Sequence, residues 1–121
     1  MPLTSLTNSI VPSLELTDFD ADRSLLDLPG RTLLIFTSIG CASCRWARRE
    51  LPGMHLPVER LCWIDAAQNG GLVQRYEVFH LPSLFLIENG QFLGDVSSPL
   101  AELALSRAVE QALTRDPEEL P

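Results

Sequence analysis

Hydrophobic positions along the chain fall into short blocks separated by turn-forming residues. Thr32–Thr37 is almost wholly apolar, the pattern of a central strand covered on both faces. Leu61–Asp65 has the same character. Leu14-Glu15-Leu16 alternates and predicts a short edge strand. Ser83–Ile87 and Gln91–Val96 flank Asn89-Gly90, a strong signal for a two-residue hairpin. Helix-prone segments lie between the strands. Asp20–Leu28 has Asp20 as its cap and Pro29-Gly30 as its stop. Cys41–Leu51 ends at Pro52-Gly53, and Asn69–Tyr76 is shorter. His55–Glu59 reads as a loop. Ser98-Pro99 predicts the start of a last helix, a cap followed by proline at the first position. Its apolar stripe is Ala101, Leu105, Ala108, Val109 and Ala112. Strands alternating with helices predict an α/β fold with a central mixed sheet of four or five strands.

Length confirms one unit of ordinary size, since the chain has 121 residues. The expected organisation is a flexible arm over 1–12, a domain over 13–113 and an acidic tail over 114–121, the last expected to be disordered. The longest apolar run is far short of the ~20 residues a membrane-spanning helix needs. The first eight residues lack a basic region followed by an apolar core, so no export signal is read there. The default compartment is then the cytoplasm. There a close cysteine pair is catalytic or metal-binding rather than a structural crosslink. The formal net charge is -7, which argues against nucleic acid as a partner. Charge reverses locally at Arg45, Arg48 and Arg49, either a solvated helix face or a basic rim for acidic substrates.

The candidate chemistry lies at Gly40-Cys41-Ala42-Ser43-Cys44, between the strand ending at Thr37 and the helix that follows. Two cysteines two residues apart at such a junction form a redox switch. Free N–H groups at the helix start and the helix dipole favour a thiolate, and the thiolate is the form that attacks a disulfide. Cys41 is the expected nucleophile, and Cys44, one turn further in, resolves the mixed disulfide. Ser43 offers a hydroxyl donor. Arginines, chiefly Arg45, are expected to support the Cys41 thiolate. The same pair could be half of a zinc site, but its spacing to His55 and His80 matches no common zinc pattern, so no metal is expected. Cys62, in a central strand, reads as an inert core thiol. Trp46 and Trp63 read as packing residues. Tyr76 and Phe79 are expected to hold the loop before Pro82 against the body, with His80 exposed beside it.

The cysteine turn, Leu81-Pro82-Ser83 before a strand and the Asn89-Gly90 hairpin, in that order, resemble the thioredoxin family over roughly Leu14 to Leu113. The resemblance implies the thioredoxin fold. It implies a cis Leu81–Pro82 bond beside Cys41, with Gly40, Ala42, Ser43, Leu81 and Pro82 contacting substrate. It implies no cofactor, a disulfide-containing protein as substrate, and an electron donor such as a thioredoxin reductase. The chain also departs from the family pattern. Gly40 stands where the family usually has tryptophan, and Ala42-Ser43 replaces Gly-Pro. Ile35 and Leu61 stand at the positions of the family's buried Asp and Lys. Losing both charges together is consistent, because one alone would be costly. It also removes the usual proton acceptor for Cys44. The helix lacks its kink proline, and the segment from Cys44 to Asp65 is shorter. Two function classes follow. One is a thiol–disulfide oxidoreductase reducing protein disulfides. The other is a binding or chaperone module on the same fold with little general turnover. A glutathione-linked enzyme is a weaker third.

Overall fold

The computed structural model describes residues 11–121. Five strands form one mixed sheet in the order β1-β3-β2-β4-β5. They are β1 (Ser13–Leu16), β2 (Arg31–Thr37), β3 (Arg60–Asp65), β4 (Ser83–Glu88) and β5 (Gln91–Asp95). The first three are mutually parallel, β4 runs antiparallel to β2, and β5 runs antiparallel to β4. The helices are α1 (Ala21–Asp27), α2 (Ala42–Glu50), α3 (Gly70–Arg75) and α4 (Glu102–Ala112).

The two periods of the sequence explain the layers. Successive residues of β2 point to opposite faces. Leu33 and Ile35 pack with Ala47 from α2, with Leu51 just after it, and with Leu105, Val109 and Ala112 from α4. Leu34 and Phe36 pack on the other face with Ala21 and Leu25 from α1 and Leu72 from α3. Both faces are therefore dry, which is why β2 and β3 read as unbroken apolar runs. Phe36, Tyr76, Phe85 and Phe92 form a chain of tilted and edge-on rings on the second face.

The Asn89-Gly90 turn forms as read, with both residues at positive φ. A side chain at Gly90 would meet the Leu26 carbonyl at 2.8 Å. The Asn89 amide oxygen accepts from Gly30 N–H at 2.7 Å, tying the hairpin to the turn that opens β2.

Several local expectations are corrected. Asp20 does occupy the N-cap position of α1, but its carboxylate turns back to accept from Thr17 N–H at 2.7 Å and makes no capping bond to the helix. The last helix starts at Glu102 with Ala101 at its N-cap. Ser98 donates its hydroxyl to the Pro99 carbonyl instead of capping a helix. The intervening turn lets Leu100 pack on the core, so tertiary packing overrides the Ser-Pro start signal. Ala101 is exposed, while Leu105, Val109 and Ala112 form the buried stripe. The chain beyond Thr114, expected to be disordered, folds back onto the sheet edge. Glu118 and Phe92 exchange two backbone hydrogen bonds of 2.9 and 2.8 Å. That pairing satisfies groups that β5 would otherwise leave open. Most of the 1–12 arm lies outside the described residues. Val11 and Pro12 are bonded to Pro52 and Leu61.

Candidate active site

β2 and α2 place the cysteine turn. β2 ends at Thr37 at the C-terminal edge of the parallel strands, where open α/β sheets gather their chemistry. Four residues later Cys41 is the N-cap of α2, and its sulfur accepts from Cys44 N–H at 3.2 Å. A helix start leaves such N–H groups without an intrahelical partner, so the sulfur occupies the place of a capping oxygen. The Ser43 hydroxyl lies 3.3 Å from the same sulfur. Cys41 is half-buried, while Cys44 is fully buried, and both are free thiols.

The two sulfurs are pushed in opposite directions. Hydrogen bonding from the Cys44 thiol, then from the Ser43 hydroxyl, holds Cys41 below the ordinary thiol range, with the Cys44 and Ser43 backbone assisting. Burial pushes Cys44 up to about 11, and its hydrogen bond to Cys41 adds to the rise. The expected contribution of Arg45 to Cys41 is corrected. Arg45 donates to the Ile39 carbonyl and is not a source of the Cys41 shift. Arg49 pairs with Glu50 at 3.4 Å. Arg48 points to the β1 side, pairs with Glu15, and favours the Cys44 thiolate.

The Leu81–Pro82 peptide is cis. The Leu81 carbonyl lies 3.7 Å from the Cys41 sulfur, so residues forty apart in sequence share one site. Ser83 is buried and donates its hydroxyl to the His80 carbonyl, closing the turn around Pro82. A groove of about 520 Å³ starts at Pro82 and runs between Phe79 and His80 on one side and Val96 to Ser98 on the other. Gly40, Ala42 and Ser43 are exposed. A side chain at Gly40 would meet nothing within 4 Å, so this position leaves the approach to Cys41 open.

The remaining candidates separate cleanly. Tyr76 packs in the aromatic cluster, but Phe79 is 87% exposed and does not hold the loop down. Trp63 is buried as expected, whereas Trp46 is 37% exposed. His55 lies 3.8 Å from Glu102 on α4. Cys62 is fully buried on β3, and burial pushes its thiol up to about 11. Among the described residues no three His, Cys, Asp or Glu side chains gather as metal ligands. No described helix is long and apolar enough to cross a membrane. Ile35 and Leu61 are fully buried in one apolar cluster. They are not direct cross-strand partners, because Ile35 faces Trp63 and Leu33 faces Leu61.

This mixed five-stranded sheet flanked by helices, with a close cysteine pair after β2, is the thioredoxin fold. A mutant thioredoxin from Halobacterium salinarum NRC-1 superposes with a TM-score of 0.67 and 22% identity, over 88% of this chain and 95% of that one. The zinc-bound form of human ERp44 matches with a TM-score of 0.61 and 20% identity, over 84% of this chain and 31% of that one. No family model and no curated protein matches the sequence. The fold and the cysteine pair together fit thiol–disulfide exchange.

Proposed function

We propose that this chain is a thiol–disulfide oxidoreductase that reduces protein disulfides through Cys41 and Cys44. The observation that carries the reading is the asymmetry of the pair. An accessible sulfur held toward the thiolate by side-chain and backbone donors of Cys44 and Ser43 sits one helical turn from a buried, protonated one. Cys41 attacks a substrate disulfide and forms a mixed disulfide, and one substrate sulfur leaves as thiolate. Cys44, deprotonated, then attacks the Cys41 sulfur. The second substrate sulfur leaves, and the Cys41–Cys44 disulfide remains. The Leu81 backbone and the groove beside Pro82 hold the extended segment that carries the disulfide. Gly40, Ala42 and Ser43 form the opposite lip. The cycle needs an electron donor to restore the dithiol, and a thioredoxin reductase is of the right class. The reading places the protein in the cytoplasm, where such a donor keeps dithiols reduced.

A binding module with little turnover is favoured by one observation, the apolar Ile35 and Leu61 beneath the site. Insulin reduction with dithiothreitol separates the two. The oxidoreductase precipitates the insulin B chain in catalytic amounts, and Cys41→Ser does not. A binding module gives no acceleration over dithiothreitol alone.

A further inference from the structure

A cavity of about 300 Å³ opens on the β1 side of α2 and reaches the buried Cys44. Its charged walls come from three elements: Glu15 on β1, Arg45 and Arg48 on α2, and Asp65 at the end of β3. Arg48 is the most firmly placed of these. Its two terminal nitrogens donate to both Glu15 oxygens at 2.7 and 3.0 Å, and its Nε donates to the Thr37 hydroxyl at 2.9 Å. The guanidinium also lies 4.9 Å over the Trp63 ring. Three bonds and a stacked face fix a long side chain that would otherwise be mobile.

The resolving step needs what this arrangement offers. A buried thiol must lose its proton before it attacks, and burial opposes the anion that forms. Ile35 and Leu61 offer no charge beneath the pair. The cavity is wide enough to admit water, and Thr37, Ser38, Arg48 and Asp65 in its wall offer that water polar partners on the way to Cys44. We propose that Arg48, held by Glu15 and Thr37, is a positioning residue for resolution: its charge favours the Cys44 thiolate as it forms, and this cavity carries the Cys44 proton to solvent. The inference rests on the two-cysteine reading above. In the step, the Cys41–Cys44 bond forms and the Cys41–substrate bond breaks. The electron pair leaves on the substrate sulfur, which takes up a proton. The two cysteines are oxidised and the substrate disulfide is reduced. Glu15 faces the same cavity with the opposite sign and moderates Arg48.

Stopped-flow reduction of dithiobis-nitrobenzoate by the full chain tests this, because the two cysteines report separately. Cys41 releases the first thionitrobenzoate, and Cys44 releases the second. In Arg48→Gln the second phase should slow about threefold at neutral pH and its alkaline midpoint should rise, while the first phase stays within about twofold. The net effect is modest because a more basic thiolate is also a better nucleophile. Arg48→Lys should restore most of the second phase, and Glu15→Gln should speed it and lower its midpoint. If Arg48→Gln and Glu15→Gln both slow the second phase without moving its midpoint, the pair is only a strut between β1 and α2, and the proposal fails. If Arg48→Gln does not fold, the other two variants decide: a near-wild-type Arg48→Lys with a faster, lower-midpoint Glu15→Gln supports the proposal, and a Glu15→Gln that is slower with an unmoved midpoint overturns it. A wild type with no first phase would instead overturn the oxidoreductase reading itself.

Discussion

Two regions of this molecule hold buried thiols, and they teach different things about cysteine. Cys62 lies in the middle of β3, and Cys44 lies in the first turn of α2. Burial pushes both up to about 11. What separates them is the surroundings. Cys62 is enclosed by Leu34, Phe36 and Ile64 and meets no redox partner. Cys44 sits three residues from a sulfur that it helps to ionise, and a cavity with an arginine in its wall reaches it. Burial alone makes a cysteine inert. Burial beside an accessible sulfur held toward the thiolate is what the resolving role proposed for Cys44 requires.

The sharpest way to break this comparison is a crossed pair of substitutions. Cys41→Ser should reduce disulfide exchange by roughly three orders of magnitude or more, because a hydroxyl cannot replace the thiolate nucleophile. It should leave the urea midpoint almost unchanged, since the site is open to solvent. Cys44→Ser should retain the first attack and accumulate the mixed disulfide, visible as a mass adduct on the intact chain. Cys62→Ser should do the reverse. It places a hydroxyl in an apolar cluster without a partner and should cost about 1–3 kcal/mol in urea unfolding. Its exchange rate should remain within about twofold. A large activity loss in Cys62→Ser would abolish the distinction drawn here.

A smaller effect sharpens the contrast through pH. The Cys62 thiol is held at about 11 in the fold, against ~8.5 in an unfolded chain. The unfolded state therefore loses its proton first as pH rises. The contribution is fully present below ~8.5 and is lost progressively as pH climbs through about 11. Near pH 9.5 one such cysteine lowers stability by about 1 kcal/mol. Cys44 acts in the same direction, and Cys41, held low, acts in the opposite one. Urea melts at pH 7.5 and 9.5 should show a shallower alkaline decline in Cys62→Ala than in the wild type. Equal slopes would mean that the fold does not hold the Cys62 thiol above its unfolded value.

The sequence made the fold legible where the pattern is periodic and the signal local. The runs at Thr32–Thr37 and Leu61–Asp65 carry the pattern of strands with two dry faces, and Asn89-Gly90 carries a strong hairpin signal, and both form as read. The Cys41–Cys44 turn at the start of α2 and the cis Leu81–Pro82 bond just before β4 lie where the sequence put them, because each is a short motif at the border of a defined element. The misreadings share a physical cause. Asp20, Ser98 and the acidic tail each carry a local signal that a competing contact overrides, only three residues away for Asp20 and through tertiary packing for the other two. Thr17 takes the Asp20 carboxylate, the core takes Leu100, and the edge of β5 takes Glu118. The arginines were misassigned for the same reason. Arg48 follows the cysteines in sequence, yet its partner Glu15 is 33 residues away on a strand at the sheet edge. Nothing local marks that pairing.

The smallest expected effect tests how the accessible thiol is kept different from the buried ones. Two donors dominate at Cys41, the Cys44 thiol first and the Ser43 hydroxyl second. Ser43 is exposed, so its hydroxyl competes with water for the sulfur and contributes less than a buried donor would. Ser43→Ala should raise the midpoint of Cys41 alkylation by iodoacetamide toward that of a free cysteine. At neutral pH the rate should fall only about twofold, because the smaller thiolate fraction is partly offset by a more nucleophilic sulfur. Ser43→Thr keeps the hydroxyl and should behave as wild type. Cys44→Ala removes the first donor and should move the midpoint further than Ser43→Ala does. If the order is reversed, the Ser43 hydroxyl, and not the Cys44 thiol, is the chief support of the Cys41 thiolate.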